Sequence, residues 1–216
     1  MAEIDIFNDR YEHTGTMDKK AAHAQGQWHR TFSTLAFNPT TRRVVLQKKT
    51  PDRYVFDRPD YADITVGGHY HAGETIPQGI REVHEELGLP VTYTDLHPIG
   101  IRQTAVTLAP DYLEREFQHW HLLPLDLDLD QIPLADAELS GLVDLNLSDA
   151  IALAEGTTDQ APARYATRTE TGMTYTDGAL TRDDLVPNYL RGDQLYLRLF
   201  VTARRFSAGE RRHLFW

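Results

Sequence analysis

A glycine-rich loop that feeds a short acidic helix, Gly67 to Leu89, constrains this chain more than any other segment. Thr75 and Gln78 form a capping-box pattern, Pro77 suits a first turn, and Gly88 suits a left-handed stop, so the spacing predicts a helix from about Ile76 to Leu87. On it Ile80, Val83 and Leu87 share a face that can anchor to a core, while Glu82, Glu85 and Glu86 gather on another. Glu82 and Glu86 are like charges four apart, which costs roughly 0.2–0.5 kcal/mol unless something positive compensates. Arg81, four residues before Glu85, is one such group, and a hard divalent cation is another. Oxygen-only ligands suit Mg²⁺ or Mn²⁺ better than zinc, and Mg²⁺ is typically held by a few carboxylates together with substrate phosphates. A bare E-x-x-E-E cluster is more often a solvated helix face than a site. The flanking glycines shift that balance.

Taken with those glycines, the run Gly68, Glu74, Arg81-Glu82, Glu85-Glu86 and Gly88-Leu89 resembles the signature of the Nudix hydrolases, which cleave nucleoside diphosphates linked to another moiety. One departure falls on Glu74, which encloses six residues with Arg81 where the family usually has seven. The resemblance implies an α/β/α sandwich with a mixed sheet, here with an N-terminal hairpin and a C-terminal helical extension. It implies Mg²⁺ or Mn²⁺ as cofactor, with Gly68 offering its carbonyl and Glu82, Glu85 and Glu86 as ligands. Arg81 would orient Glu85 or Glu82, one of which would take the proton from the attacking water. A further acidic ligand or base would come from a distant element, with Glu116 or Glu114 the candidates and Glu138 behind them. The expected activity is hydrolysis of the phosphoanhydride bond of a nucleoside diphosphate derivative or related organic diphosphate. A non-catalytic diphosphate sensor is the alternative, although such proteins often lose the helix glutamates and all three stand here.

A second constellation joins His23, His29 and His69 to Glu114 and Glu116. Each histidine alone is more often structural than a ligand. The arrangement nevertheless resembles isopentenyl diphosphate isomerase, a relative with the same fold in which three histidines and two glutamates at corresponding places hold a metal. In that enzyme a cysteine before the Gly-His pair takes part in proton transfer. This chain has Gly67 there and no cysteine anywhere, and double-bond migration needs a positioned proton carrier that glycine cannot supply. The isomerase reaction is therefore disfavoured, while the ligand set is retained as a candidate second metal site.

With 216 residues, 41% of them apolar, the chain is expected to form a single Nudix domain over 1–216, its core about 28–155 and its C-terminal extension about 156–216. A formal charge of −10 disfavours a nucleic-acid polymer or an anionic membrane as partner, but not a small phosphorylated substrate held through a cation. The acidic start lacks the basic and apolar regions of a signal peptide, so a cytoplasmic location is the expectation. The terminus Leu214-Phe215-Trp216 is a candidate for packing down or for a homodimer interface.

Along the chain, Ile4 and Ile6 open a hairpin turning at Tyr11 to Gly15, and Lys19 to Ser33 leads into a strand through Leu35 and Phe37. Val44 to Lys48 returns, Pro51 to Asp60 is a loop, and Ile64 to Val66 is a short strand delivering the glycines. A strand region is expected from Val91 to Thr107, broken near His97-Pro98, then Leu113 to Leu123 with Glu114, Glu116, Gln118 and Trp120 on one face. Asp126, Asp128 and Asp130 lack the register of a calcium loop and read as an exposed edge or loop. Leu142 to Leu147 is a strand, Ser148 caps a helix over Asp149 to Ala154, Tyr165 to Tyr175 is a hairpin, and Pro187 introduces a helix from about Asn188 to Phe206. Trp28, Tyr70, Phe117 and Trp120 are expected in the core rather than against a base.

Overall fold

The computed structural model describes residues 2–50 and 60–214. Ile4 and Phe7 are buried in the strand Glu3–Phe7 (β1), which pairs antiparallel with His13–Asp18 (β2) as the expected opening hairpin. Asp18 accepts from the Ala21 amide at 3.2 Å to cap the helix Lys19–Gln25 (α1), and Gly26 ends it at φ 61°.

Trp28–Asn38 (β3) is the spine of the sheet. It is buried on both faces, with Phe32, Leu35, Ala36 and Phe37 at 0% exposure, as a strand covered from both sides must be. Along one edge it meets β1, then Val66–His69 (β6), then Arg43–Lys49 (β4). Along the other it runs parallel to Tyr112–Pro124 (β8), whose hairpin partner is His97–Ala109 (β7). The short Ala62–Asp63 (β5) pairs with β4. Beyond β4 the sheet continues through Leu139–Asn146 (β9), Gln160–Thr169 (β10) and Gly172–Thr181 (β11).

One face of the sheet carries the helix Arg81–Leu87 (α2), with Val83 and Leu87 packed against Phe32, Val66 and Leu123. The opposite face carries Leu147–Glu155 (α3) and Leu195–Ser207 (α5), packed on Leu35, Phe37, Leu46 and Val143. The mixed α/β sandwich is therefore as expected. Tyr70, Phe117 and Trp120 are buried, at 5% exposure or less, and Trp28 is half-buried. No described helix is long and apolar enough to cross a membrane.

Several boundaries differ, each for a local reason. The glycines expected to form a loop are themselves strand, since Gly67, Gly68 and His69 pair with β3. The acidic helix is α-helical only from Arg81, because Ile76–Ile80 winds as a 3₁₀ turn around Pro77 and Gly79, the latter pressed against the Phe32 and Tyr70 rings. Val91 to Leu96 forms no strand, and β7 begins at His97. The α3 cap is Asn146, whose side chain accepts from the Ser148 amide at 2.8 Å, rather than Ser148 itself. The polar segment before Tyr165 is already strand from Gln160. The long C-terminal helix is two, Pro187–Leu190 (α4) and α5, interrupted where Gly192 (φ 61°) and Gln194 (φ 54°) turn left-handed. The extension is thus a hairpin followed by two helices. Asp126, Asp128 and Asp130 are exposed, as expected. The segment 51–59 and Phe215-Trp216 lie outside the described residues.

The join between the β4 side and the C-terminal hairpin is made by Asp144, 2% exposed on β9. It accepts from Arg43 on β4 at 2.8 Å and from Arg164 on β10 at 2.6 Å. Burial pushes its carboxyl up, and the two guanidinium groups more than offset this and hold it below the ordinary aspartate range. Asp144→Asn is expected to lower unfolding stability by about 1.5–3 kcal/mol at neutral pH, the range for hydrogen bonds to charged groups. Because the folded pKa is depressed, the stabilisation is present above the ordinary value of about 3.9 and is lost as pH falls through the folded one. Urea unfolding of both proteins should therefore show a gap at pH 7 that closes in acid.

Candidate active site

The α2 carboxylates divide into two buried and one exposed. Glu82 and Glu86 are 9% and 7% exposed and turn inward over β6, whereas the Glu85 side chain is 53% exposed at the mouth of the cleft. Gly68 makes this possible, since a Cβ there would overlap the Glu82 carboxylate. At Glu86, the Gly67 amide donates to the carboxylate, yet Oε2 is buried without a hydrogen-bond partner among the described residues. Burial pushes Glu86 up to about 8, with Lys49 pulling the other way and Glu82 adding to the rise. Burial also raises Glu82, against Arg81.

Arg81 organises the other oxygens. Its Nε donates to Glu74 at 3.0 Å, Nη1 to Glu85 at 2.7 Å, and Nη2 to Glu82 and to the His69 carbonyl, both at 3.0 Å. Glu74, the residue on which the spacing departed, is thus seated on Arg81 and also accepts from the His71 amide at 2.7 Å, closing the loop between β6 and the 3₁₀ turn. A desolvated pair of carboxylates with an orphaned oxygen, over a strand too small to displace them, fits a hard divalent cation. Lys49, Asp136 and Glu138 line the same cleft. Of these only Glu138 was singled out from the sequence, since a lysine on β4 and a loop aspartate carry no local signal.

Glu116 is brought elsewhere. The β3–β8 register sets His29 beside Glu116, β6 sets His69 opposite Thr31, and α1 delivers His23, whose ring stacks on Tyr112 with centroids 4.2 Å apart. One ligand atom from each of His23, His29, His69 and Glu116 lies within 4.8 Å of the others. His29 Nδ1 lies 2.8 Å from the Gln27 carbonyl and donates to it, and Nε2 faces the Glu116 carboxylate at 3.6 Å, beyond hydrogen-bond reach. His23 Nε2 and His69 Nε2 face each other at 3.0 Å. Burial, with His29 adding to it, holds His23 down to about 4 and His69 well below its ordinary value, so both are neutral. Burial raises Glu116, but the facing His29, together with the Gln118 amide, brings it below the ordinary range. Imidazole nitrogens converging on a carboxylate fit a borderline divalent ion. Glu114 lies outside this group and lines a cavity beside it, its carboxyl pushed up to about 8 by burial and then by Glu116.

Comparison with known proteins agrees with the fold. The NUDIX domain matches residues 27–165, ending inside β10. An uncharacterized Nudix hydrolase of Clostridium acetobutylicum is 27% identical over 201 residues, covering 92% of this chain and 96% of its own. An isopentenyl-diphosphate Delta-isomerase of Pectobacterium atrosepticum is 26% identical over 120 residues, covering 55% of this chain and 64% of its own. A crystal structure from Deinococcus radiodurans superposes with a TM-score of 0.53 at 20% identity, covering 71% of this chain and 89% of that one.

The raised Glu86 carboxyl has a thermodynamic consequence. The folded protein binds more protons than the unfolded one between about pH 4.5 and 8, so in metal-free protein Glu86 makes stability fall as pH rises through that window. With chelator present, Glu86→Gln should melt higher than wild type at pH 8, and the difference should vanish near pH 4.5. Thermal unfolding across that range checks it.

Proposed function

The chain belongs to the Nudix domain family, and on that premise we propose that it is a Mg²⁺- or Mn²⁺-dependent hydrolase of the phosphoanhydride bond in a nucleoside diphosphate derivative or related organic diphosphate. The observation that carries this reading is the buried Glu82–Glu86 pair over Gly68, with Glu86 Oε2 unpartnered. Glu82, Glu86 and the Gly68 carbonyl, with Glu85 beside them, would hold the ion. When bound, it would offset the charge that builds on the phosphoryl oxygens and acidify water.

The chain's own residues supply the rest. Arg81 keeps the Glu82 and Glu85 carboxylates in place and neutralises part of their mutual repulsion. Glu85, exposed in the cleft, takes the proton from attacking water. Lys49 lines the cleft where leaving-group charge develops. Double-bond migration, the activity named for the Pectobacterium relative, is set aside because the chain has no cysteine and Gly67 carries no proton.

The orphaned His29 Nε2 favours a second reading alongside the first, in which His23, His29, His69 and Glu116 hold a further metal ion and Glu116 acts there rather than at the helix. It adds a cation near the substrate without replacing the glutamate site.

Purified protein should cleave members of a panel of nucleotide sugars, dinucleotides, nucleoside triphosphates and isoprenoid diphosphates only with Mg²⁺ or Mn²⁺, with products identified by mass. Glu85→Gln should lower kcat by about 10²–10⁴-fold. Absence of any anhydride cleavage would overturn the proposal. For the second site, metal analysis after loading with Mn²⁺, Co²⁺ or Zn²⁺ should lose about one ion per chain in His29→Ala. Unchanged stoichiometry would remove it.

A further inference from the structure

Beside the acidic cleft lies a smaller cavity that shares Gly67, Gly68, His69, Lys49 and Tyr112 with it. A group attached to a diphosphate on α2 would enter this cavity. Its walls come from β8, from β4 and β5, and from Tyr189 on α4, beyond the matched domain. Tyr189 is held by Arg102, which lies 5.8 Å from its ring centroid and clasps Asp193 through Nε at 2.6 Å and Nη2 at 3.2 Å.

Accounting for the polar groups in the walls narrows what can bind. Gln118 accepts from Arg102 at 2.8 Å and Trp120 at 3.2 Å and donates to Glu116 at 2.7 Å, which leaves one amide N–H. Glu116 is occupied by Gln118, Thr31 and the imidazoles. Two acceptor groups stand out, beside the Tyr112 and Tyr189 hydroxyls of the same lining, which can donate or accept. Gln47 is 1% exposed, and its Oε1 has no hydrogen-bond partner among the described residues. Glu114 has no described side-chain hydrogen bond or ion pair, although it faces the cavity. Both present acceptor oxygens, and a protonated Glu114 still keeps one.

We infer that this cavity receives the organic group of the diphosphate substrate, that this group is compact, not anionic and rich in N–H or O–H donors, and that Gln47 and Glu114 select it. The inference rests on the diphosphate reading above and narrows it. A hydrocarbon group would strip water from both acceptors and return nothing, and a second anion would meet Asp63 and Glu116, with Lys49 shared with the diphosphate cleft.

The test compares two diphosphates of similar size, ribose 5-diphosphate and isopentenyl diphosphate, with their uncleavable methylene-bridged analogues. Calorimetric binding of the analogues with Mg²⁺ should favour the ribose compound by at least about 100-fold in wild type. The preference should shrink to within about tenfold in Glu114→Leu or Gln47→Leu. Either variant suffices, provided its circular dichroism matches wild type. Equal or tighter binding of the isopentenyl analogue, or a preference untouched in both folded variants, overturns the inference. Turnover of the cleavable pair separates the two claims. Hydrolysis without preference sinks this one and leaves the hydrolase, whereas selective binding without hydrolysis does the reverse.

Discussion

Arg81 donates to Glu74, Glu82, Glu85 and the His69 carbonyl, and in doing so ties the end of β6, the loop after it and the first turn of α2 into one unit. Without that guanidinium three carboxylates would repel one another across a short helix that has little propensity-driven stability of its own. The compensation is partial by construction. Glu86 receives none of it directly, so the innermost carboxylate stays raised and its Oε2 has no hydrogen-bond partner among the described residues. That buried oxygen beside glycines is the feature on which the proposed cation site rests.

The same strand serves two neighbouring arrangements. The backbone of β6 cradles the α2 carboxylates through Gly67 and Gly68, while its next residue, His69, turns its ring toward His23, His29 and Glu116. Both depend on β3, whose register with β6 and β8 decides which side chains meet. A slip of one residue in the β3–β8 pairing would send Glu116 to the opposite face and dissolve the histidine cluster. The burial of β3 on both faces makes such a slip costly, so the sheet core and the site geometry are enforced by the same packing.

The C-terminal segment belongs to this design rather than hanging from it. Its hairpin extends the sheet through Asp144, and its helix pair covers the sheet face opposite α2 while α4 lends Tyr189 to the cavity wall. The break between α4 and α5 is what lets Tyr189 and Asp193 reach Arg102, and a continuous helix would not bend there.

Much of the site could be read from the chain itself, because its determinants are local. The glycines, the capping box and the stop at Gly88 act within a few residues, and the i, i+4 contact of Arg81 with Glu85 follows from helix geometry. The six-residue spacing that set Glu74 apart proved no obstacle, since the 3₁₀ turn around Pro77 and Gly79 rewinds the segment and still lands Glu74 on Arg81. Only tertiary structure decided that Glu85 faces solvent while Glu82 and Glu86 are buried, that Glu116 joins the histidines and Glu114 does not, and that Tyr189 closes the cavity. His23 meets His69 across 46 residues and Arg102 meets Asp193 across 91. Such contacts are set by strand register and by which helix face finds the core, and neither is encoded in the spacing of near neighbours.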